Sequence, residues 1–270
     1  MEKLIITIAP TGNVPVKSMT PHVPVTAAEI ARDVVDCYDR GAAVAHLHAR
    51  DAEGSPTSDL EYFSKIMQAI DETGCPIVRQ ISTGARAGKT AEARAAALVL
   101  NPVSASLSTG SSNFPRSANL NEPALIEYLA NVMLARNIKP EIEVFDAAMI
   151  QNAIELQKRV LIKAPLQFNL VLGVKGSLPA TAKNLFFLVE SLPPDSIWTV
   201  SVIGPQHVSL SVMAMALGGH VRVGVEDNIY YSKGVLATNV ALVERIAAIA
   251  KAMGRELATP EDVRGIWGIS

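Results

Sequence analysis

The sequence predicts an α/β protein folded as a single (β/α)8 barrel, a TIM barrel, on three observations. Short β-rich runs alternate with longer helical patterns along the 270 residues. Each such run is followed by a helix candidate, an order that builds a parallel sheet covered by helices. A doubly wound open sheet, the rival architecture, needs a Gly-x-Gly-x-x-Gly turn after the first strand, and that turn is absent.

The expected strands are residues 4–9, 43–48, 77–82, 103–107, 141–145, 167–172, 197–202 and 220–225. Helix signals punctuate them. Thr26-Ala27-Ala28-Glu29 reads as a capping box ahead of Ile30, Val34 and Val35, and Ser58-Asp59-Leu60-Glu61 as another ahead of Phe63 and Ile66. Gly41, Gly74 and Gly218-Gly219 stand where helices stop. Thr259-Pro260-Glu261-Asp262 opens a last short helix, with proline at its first position, as a C-terminal extension of one domain spanning 1–270.

Composition narrows the function classes. The chain is 49% hydrophobic and 19% charged, which suits a large buried core. A net charge of −2 without a Lys/Arg cluster argues against nucleic acid as the main partner, while leaving room for a local basic mouth toward a phosphorylated cofactor. Cys37 and Cys75 lack zinc-type spacing and are too few for a disulfide scaffold, so both are expected as buried thiols. No apolar run reaches membrane-spanning length, and the run before Pro10-Thr11-Gly12 is too short for a signal peptide. The expectation is a cytoplasmic protein with no membrane partner.

The connections are asymmetric. Helix-to-strand links are short, whereas the strand-to-helix loops 10–25, 108–123 and 173–181 are long and rich in Gly, Ser, Thr, Asn and Pro. In barrels these loops build the face that carries chemistry.

His46 and His48 end the second strand two residues apart, so both imidazoles share a face. Glu226, ending strand eight, reaches the same mouth because strands eight, one and two are neighbours in a closed barrel. Two imidazoles and a carboxylate leave open positions on Zn²⁺, and the same donors suit Fe²⁺. Arg222 shares strand parity with Glu226, and a buried guanidinium needs a carboxylate partner; Asp227 is the candidate. Arg222 and a metal are expected to pull the Asp227 pKa down while partial desolvation opposes them, leaving either an ionised base or a structural ion pair. Ser82, at the end of strand three, and Ser106 and Ser108, at the end of strand four, offer hydroxyls and freed N–H groups for a carboxylate, or serve ordinary turns. Glu143 shares parity with Glu141 and lies nearer the mouth if that face points inward. His207 is expected to begin helix seven and His220 to be structural.

Several segments together resemble the β-keto acid cleavage enzyme family: Ala9-Pro10-Thr11-Gly12, His46-Leu47-His48-Ala49-Arg50, Gln80-Ile81-Ser82-Thr83-Gly84, Glu141-Ile142-Glu143-Val144-Phe145, Val171-Leu172-Gly173-Val174, the run from Gly218 to Asn228, and Tyr231-Ser232-Lys233-Gly234-Val235-Leu236-Ala237-Thr238-Asn239. The resemblance runs in order along nearly the whole chain. It implies a barrel with Zn²⁺ on His46, His48 and Glu226, and a reaction in which a β-keto acid and acetyl-CoA give acetoacetate and a new acyl-CoA. It further implies that Asp227, oriented by Arg222, is the base, and that Ser82 and Ser106 bind the keto acid with Ser108 beside them. A homodimer or homotetramer is the implied assembly.

Three departures from the family pattern bear on substrate. Val14, expected to be buried, replaces the acid found in members acting on an aminated substrate, so a cationic tail is disfavoured. Ala85 replaces an expected glycine. Ile203-Gly204-Pro205-Gln206-His207 lacks an arginine, and Lys175 replaces a proline. A metal-dependent hydrolase on the same scaffold is the alternative reading, but it requires further ligands on later strands. A non-catalytic metal- or CoA-binding barrel is a third.

Overall fold

The computed structural model describes residues 2–115 and 117–269 and shows eight parallel strands closed into a barrel. They are β1 (Ile6–Ile8), β2 (Val44–Leu47), β3 (Val78–Ile81), β4 (Ser104–Ser108), β5 (Lys139–Val144), β6 (Gln167–Leu172), β7 (Ile197–Val202) and β8 (His220–Val223). Thr7 aligns with Val44 on one side and Arg222 on the other, which closes the sheet. β6 and β7 occupy the expected residues, β8 starts where expected, and the other strand ends differ by one or two. β8 stops at Val223 because Gly224 turns the chain at φ +153°, where an added Cβ would lie 2.0 Å from the Ala9 carbonyl oxygen. Only glycine permits that approach of the two strand ends.

The helices are α1 (Ala27–Tyr38), α2 (Leu60–Asp71), α3 (Ala91–Ala95), α4 (Pro123–Ala135), α5 (Ala147–Lys158), α6 (Ala182–Ser191), α7 (His207–Ala216), α8 (Asn239–Ala252) and α9 (Pro260–Ile266). Thr26 and Thr259 close capping boxes with Glu29 and Asp262. The second expected box is displaced. Asp59, not Ser58, is the N-cap of α2 and accepts from the Glu61 N–H, so Glu61 falls one residue too early to reach back. Cys37 is buried in α1 as expected, but Cys75 is only half-buried. Among the described residues no helix is long and apolar enough to cross a membrane.

Strand alternation sorts the side chains into two environments. Leu47, Ile81, Leu107, Ile142, Phe168 and Val200 point outward into the core shared with the helices. The intervening residues face the barrel axis, and from β2 to β8 most are polar: His46, Gln80, Ser104, Glu141, Asn169 and Arg222 are all buried. The interior is held by hydrogen bonds rather than by layers of branched aliphatics. Gln80 Nε2 donates to Ser104 Oγ (3.1 Å), Gln167 Nε2 to Glu141 Oε1 (3.2 Å) and Ser201 Oγ to Asn169 Oδ1 (2.7 Å). Such groups are tolerated in a low-dielectric interior because they satisfy one another.

At the opposite end, α9 seals the strand starts. Trp267 packs with Ile5, Val44, Val78 and Val263 in a separate apolar cluster. At the functional end, Asn239 ties three segments together: its Oδ1 accepts from Val225 N (2.8 Å), and its Nδ2 donates to Pro10 O (3.1 Å) and to Asp33. Burial pushes the Asp33 carboxyl up to about 6, with the Asn239 donation opposing it.

Truncating Trp267, which is 2% exposed, is expected to cost about 3–5 kcal/mol. Chemical denaturation of Trp267→Ala reads this as a lower midpoint, and an unchanged midpoint would show that α9 does not seal the barrel. Because the Asp33 pKa is raised, the folded chain holds a proton that the unfolded chain has released, and stability falls as pH rises from the ordinary value of 3.8 to about 6. Asp33→Asn lacks that titration. Its stability relative to wild type should therefore grow across this window and then level off, whereas a pH-independent difference would contradict the assignment.

Candidate metal and acid–base centre

The loops after β1, β2 and β8 bring three of the expected residues together. His46 lies in β2, His48 just beyond it, and Glu226 two residues after Gly224. One ligand atom from each lies within 4.8 Å of the others. His46 Nε2 and His48 Nε2 are 3.2 Å apart, and His48 Nε2 is 3.2 Å from Glu226 Oε1. Gly12, at φ +63°, packs directly on Glu226: an added Cβ would sit 2.4 Å from its Cγ. Glycine there lets the first loop close over the carboxylate.

Arg222 rises from the barrel interior and divides its guanidinium between two acids. Nε and Nη2 grip Asp227 Oδ2 and Oδ1 at 3.0 and 2.9 Å, while Nη2 also donates to Glu226 Oε1 at 2.6 Å. Asp227 is thus the expected partner of Arg222, and Glu226 is a second. Burial opposes the Arg222 charge, but the two carboxylates outweigh it and strengthen its hold on the proton. Burial likewise opposes ionisation of Glu226, yet Arg222 and His48 together hold that carboxyl well below the usual range. His46 is driven the other way: burial and then Arg222 push it down to about 3, so its ring is neutral.

Asp227 departs from expectation. Burial exceeds the pull of Arg222, Glu226 adds to it, and the carboxyl is pushed up to about 6 rather than drawn down. The sequence placed Asp227 at a partly solvated strand end. In the fold its side chain is 5% exposed, and desolvation dominates.

The other expected residues ring the same mouth. Ser108 Oγ donates to Glu143 Oε2 at 2.9 Å, so the two form a pair. Ser106 Oγ accepts from Thr83 N at 3.1 Å, and Ser82 Oγ accepts from Gly84 N at 3.3 Å. These bonds occupy lone pairs and leave both hydroxyl protons for another acceptor. Val14 corrects a second expectation: it is 48% exposed on the first loop, not buried. His207 begins α7, with Nδ1 3.2 Å from Gly204 O, and His220 Nδ1 accepts from Ile5 N. Neither joins the cluster, so among the described residues the donor set stops at His46, His48 and Glu226, and the further ligands that a barrel hydrolase requires are missing from it.

Sequence reading overlooked the residues that hold these groups in place. Gln80 Oε1 lies 2.5 Å from His46 Nδ1. Arg50 donates to the carbonyls of Gly12, Pro15 and Gly54, and Arg94 to those of Thr83 and Leu120 and to Asn121 Oδ1. Each arginine joins two loops through carbonyl oxygens, which leave no trace in residue type. Gln80 was discoverable, since it shares parity with Ser82 and sits one strand over from His46.

The chemistry of the donor set fits a divalent cation. Two imidazoles and an ionised carboxylate face one another, and the second oxygen, Glu226 Oε2, is buried without a hydrogen-bond partner. Thr11 Oγ1 and Asn13 Oδ1, in the loop that covers Glu226, are likewise buried and unpartnered. Orphaned acceptors concentrated at one mouth mark a place for a cation or a ligand donor.

The family model described as beta-keto acid cleavage enzyme matches residues 3–269. A 3-keto-5-aminohexanoate cleavage enzyme of Fusobacterium nucleatum is 44% identical over 271 residues, covering 100% of this chain and 99% of the relative. A 3-oxoadipate:acetyl-CoA acetyltransferase of Cupriavidus necator is 38% identical, covering 98% and 94%. The solved structure described as a ternary complex of ObcA with C4-CoA adduct and oxalate shares the barrel fold, with a TM-score of 0.77, 22% identity and coverage of 92% of this chain and 68% of that one. From the full-length family match and these relatives, the chain belongs to the beta-keto acid cleavage enzyme family.

Proposed function

We propose that this enzyme is metal-dependent and exchanges acyl groups between a β-keto acid and acetyl-CoA. The carbon–carbon bond between the keto carbon and the carboxymethyl group breaks, and the acetyl group takes the vacated carbon. The released acyl group moves to the CoA sulfur, giving acetoacetate and a new acyl-CoA with no net redox change. One observation carries the reading: three convergent metal donors stand beside an acid gripped by a buried arginine. The names of relatives support the reactants, since one is an acetyl-CoA acetyltransferase acting on 3-oxoadipate.

His46, His48 and Glu226 would hold Zn²⁺. When bound, the ion supplies Lewis-acid polarisation of a carbonyl oxygen. The chain's own residues do the rest. Asp227 accepts a proton from the carbon next to a carbonyl. Its raised pKa makes it a stronger base than an ordinary aspartate, while leaving it ionised at neutral pH. Arg222 fixes the carboxylate plane by its two-point grip. The hydroxyls of Ser82 and Ser106 hold the substrate carboxylate, and Ser108, its proton directed to Glu143, lines the substrate site beside them with Glu143. Val14, exposed on the first loop, offers no carboxylate to a cationic tail, so the substrate tail is neutral or apolar. The enzyme works in the cytoplasm as a single-domain subunit of a dimer or tetramer.

Acetoacetate release from a panel of β-keto acids, with acetyl-CoA present or omitted and metal present or chelated, tests the reaction. Product is expected only when both are supplied, and turnover without acetyl-CoA or after chelation would contradict the reading. Asp227→Asn should retain metal and lose activity by at least about 100-fold, the lower range for a general base. Full activity in that variant would remove Asp227 from the role. Val14→Glu should shift preference toward amino-bearing keto acids.

A further inference from the structure

The outward faces of the barrel helices differ in charge. α2 exposes Glu61 and Lys65, α5 Glu155 and Lys158, and α8 Glu244 and Lys251. α7 has no Asp, Glu, Lys or Arg over its whole length, and Met213, Ala216 and, just beyond it, Leu217 face solvent. α6 packs beside α7 and exposes two consecutive aromatic rings, Phe186 and Phe187, the second of them 50% exposed. Leu185 and Leu188 fill the core side of α6, so the phenylalanines point away from the barrel. Single exposed apolar side chains are ordinary, but a run across two adjacent helices marks an interaction surface.

The order of residues along α6 indicates what covers this surface. Lys183, Phe186, Phe187 and Glu190 follow the i, i+3, i+4, i+7 spacing and share one helix face. All four are exposed. The pattern Lys-x-x-Phe-Phe-x-x-Glu is symmetric about the peptide bond between the phenylalanines. A two-fold axis through that point, normal to the helix, brings up an antiparallel copy in which phenylalanine meets phenylalanine and Lys183 meets the partner's Glu190. Lys183 lies in the first turn of α6 and Glu190 in the last, against the direction that the helix dipole favours. Among the described residues neither forms an ion pair within its own chain. The two charges thus oppose their own helix, whereas an antiparallel copy gives each its counter-ion. An unrelated protein or a lipid surface requires neither the symmetry nor this charge order.

We propose that α6 and α7 form a self-complementary surface for a second copy of this chain, with the two α6 helices antiparallel across a two-fold axis between Phe186 and Phe187. The inference rests on the oligomer in the reading above and locates one of its contacts. In such an interface residue i meets j and j meets i, which the Lys183 and Glu190 positions satisfy. The phenylalanines form the desolvated centre, Met213 and Leu217 extend it, and the charges stand at the rim, as in other protein interfaces. The surface belongs to the outer helical layer and leaves the barrel mouth open.

Sedimentation velocity of the full chain over a dilution series reads the assembly directly. Wild type should sediment as a dimer or tetramer. Phe186→Ser/Phe187→Ser should halve the mass or weaken self-association at least about 30-fold, the effect of losing one interface hot spot. Lys183→Glu sets like charges opposite one another twice and should weaken association roughly 3–10-fold, and less at high salt. Lys183→Glu/Glu190→Lys exchanges the charges and should restore the wild-type association, which loss of a general surface charge would not do.

Wild-type mass and affinity in Phe186→Ser/Phe187→Ser would overturn the proposal, as would a charge exchange that leaves Lys183→Glu unrescued. If the double serine variant does not fold, the two charge variants decide alone. An oligomeric wild type indifferent to all three variants defeats this location and leaves the oligomer standing. A monomeric wild type defeats both, including one that binds lipid vesicles or another protein through this face instead.

Discussion

Arg222 holds the centre of this molecule. It stands inside the barrel, where an unpaired guanidinium would be expensive, and divides its donors between Glu226 and Asp227. That division sets the charge of the whole mouth. It keeps Glu226 ionised against burial and lowers His46 further. It also orients Asp227 without overcoming the desolvation that raises its pKa. Two adjacent acids on one cation thus have their pKa values pushed in opposite directions, an arrangement suited to one acid as ligand and the other as base.

The geometry around Arg222 depends on close backbone packing. Gly224 allows β8 to end against the Ala9 carbonyl, and Gly12 lets the first loop lie on Glu226. Asn239 then links the same segments through three hydrogen bonds. Arg50 and Arg94 brace the neighbouring loops by their carbonyl oxygens. The functional face is therefore made of loops, but loops tied to one another and to the strand ends by side-chain hydrogen bonds. The polar interior continues that support downward, while α9 and Trp267 provide the apolar seal that the barrel axis lacks.

Much of this was legible in the chain. The eight strands follow from apolar and β-branched runs, and the two-residue parity of His46 and His48 follows from strand geometry. The convergence of Glu226 required only barrel closure, which makes β8 and β2 both neighbours of β1. What escaped depended on depth or on backbone. Asp227 was read as partly wet, and its burial reversed the expected direction. Val14 was read as buried, yet it is largely exposed on the first loop. The α2 cap moved by one residue because Ser58 and Asp59 are both competent caps, and only the fold decides between them. Gln80 bears no ionisable group, so its importance shows only when β2 and β3 are placed in register.

The central claim is that His46, His48 and Glu226 form one divalent-metal site. Titration of Zn²⁺ into the metal-free chain, repeated with His46→Ala, His48→Ala and Glu226→Gln, addresses it most directly. The account predicts one saturable ion per chain in wild type and a severe loss of affinity in each variant. No saturable binding in wild type, or binding that survives removal of either histidine unchanged, would contradict it.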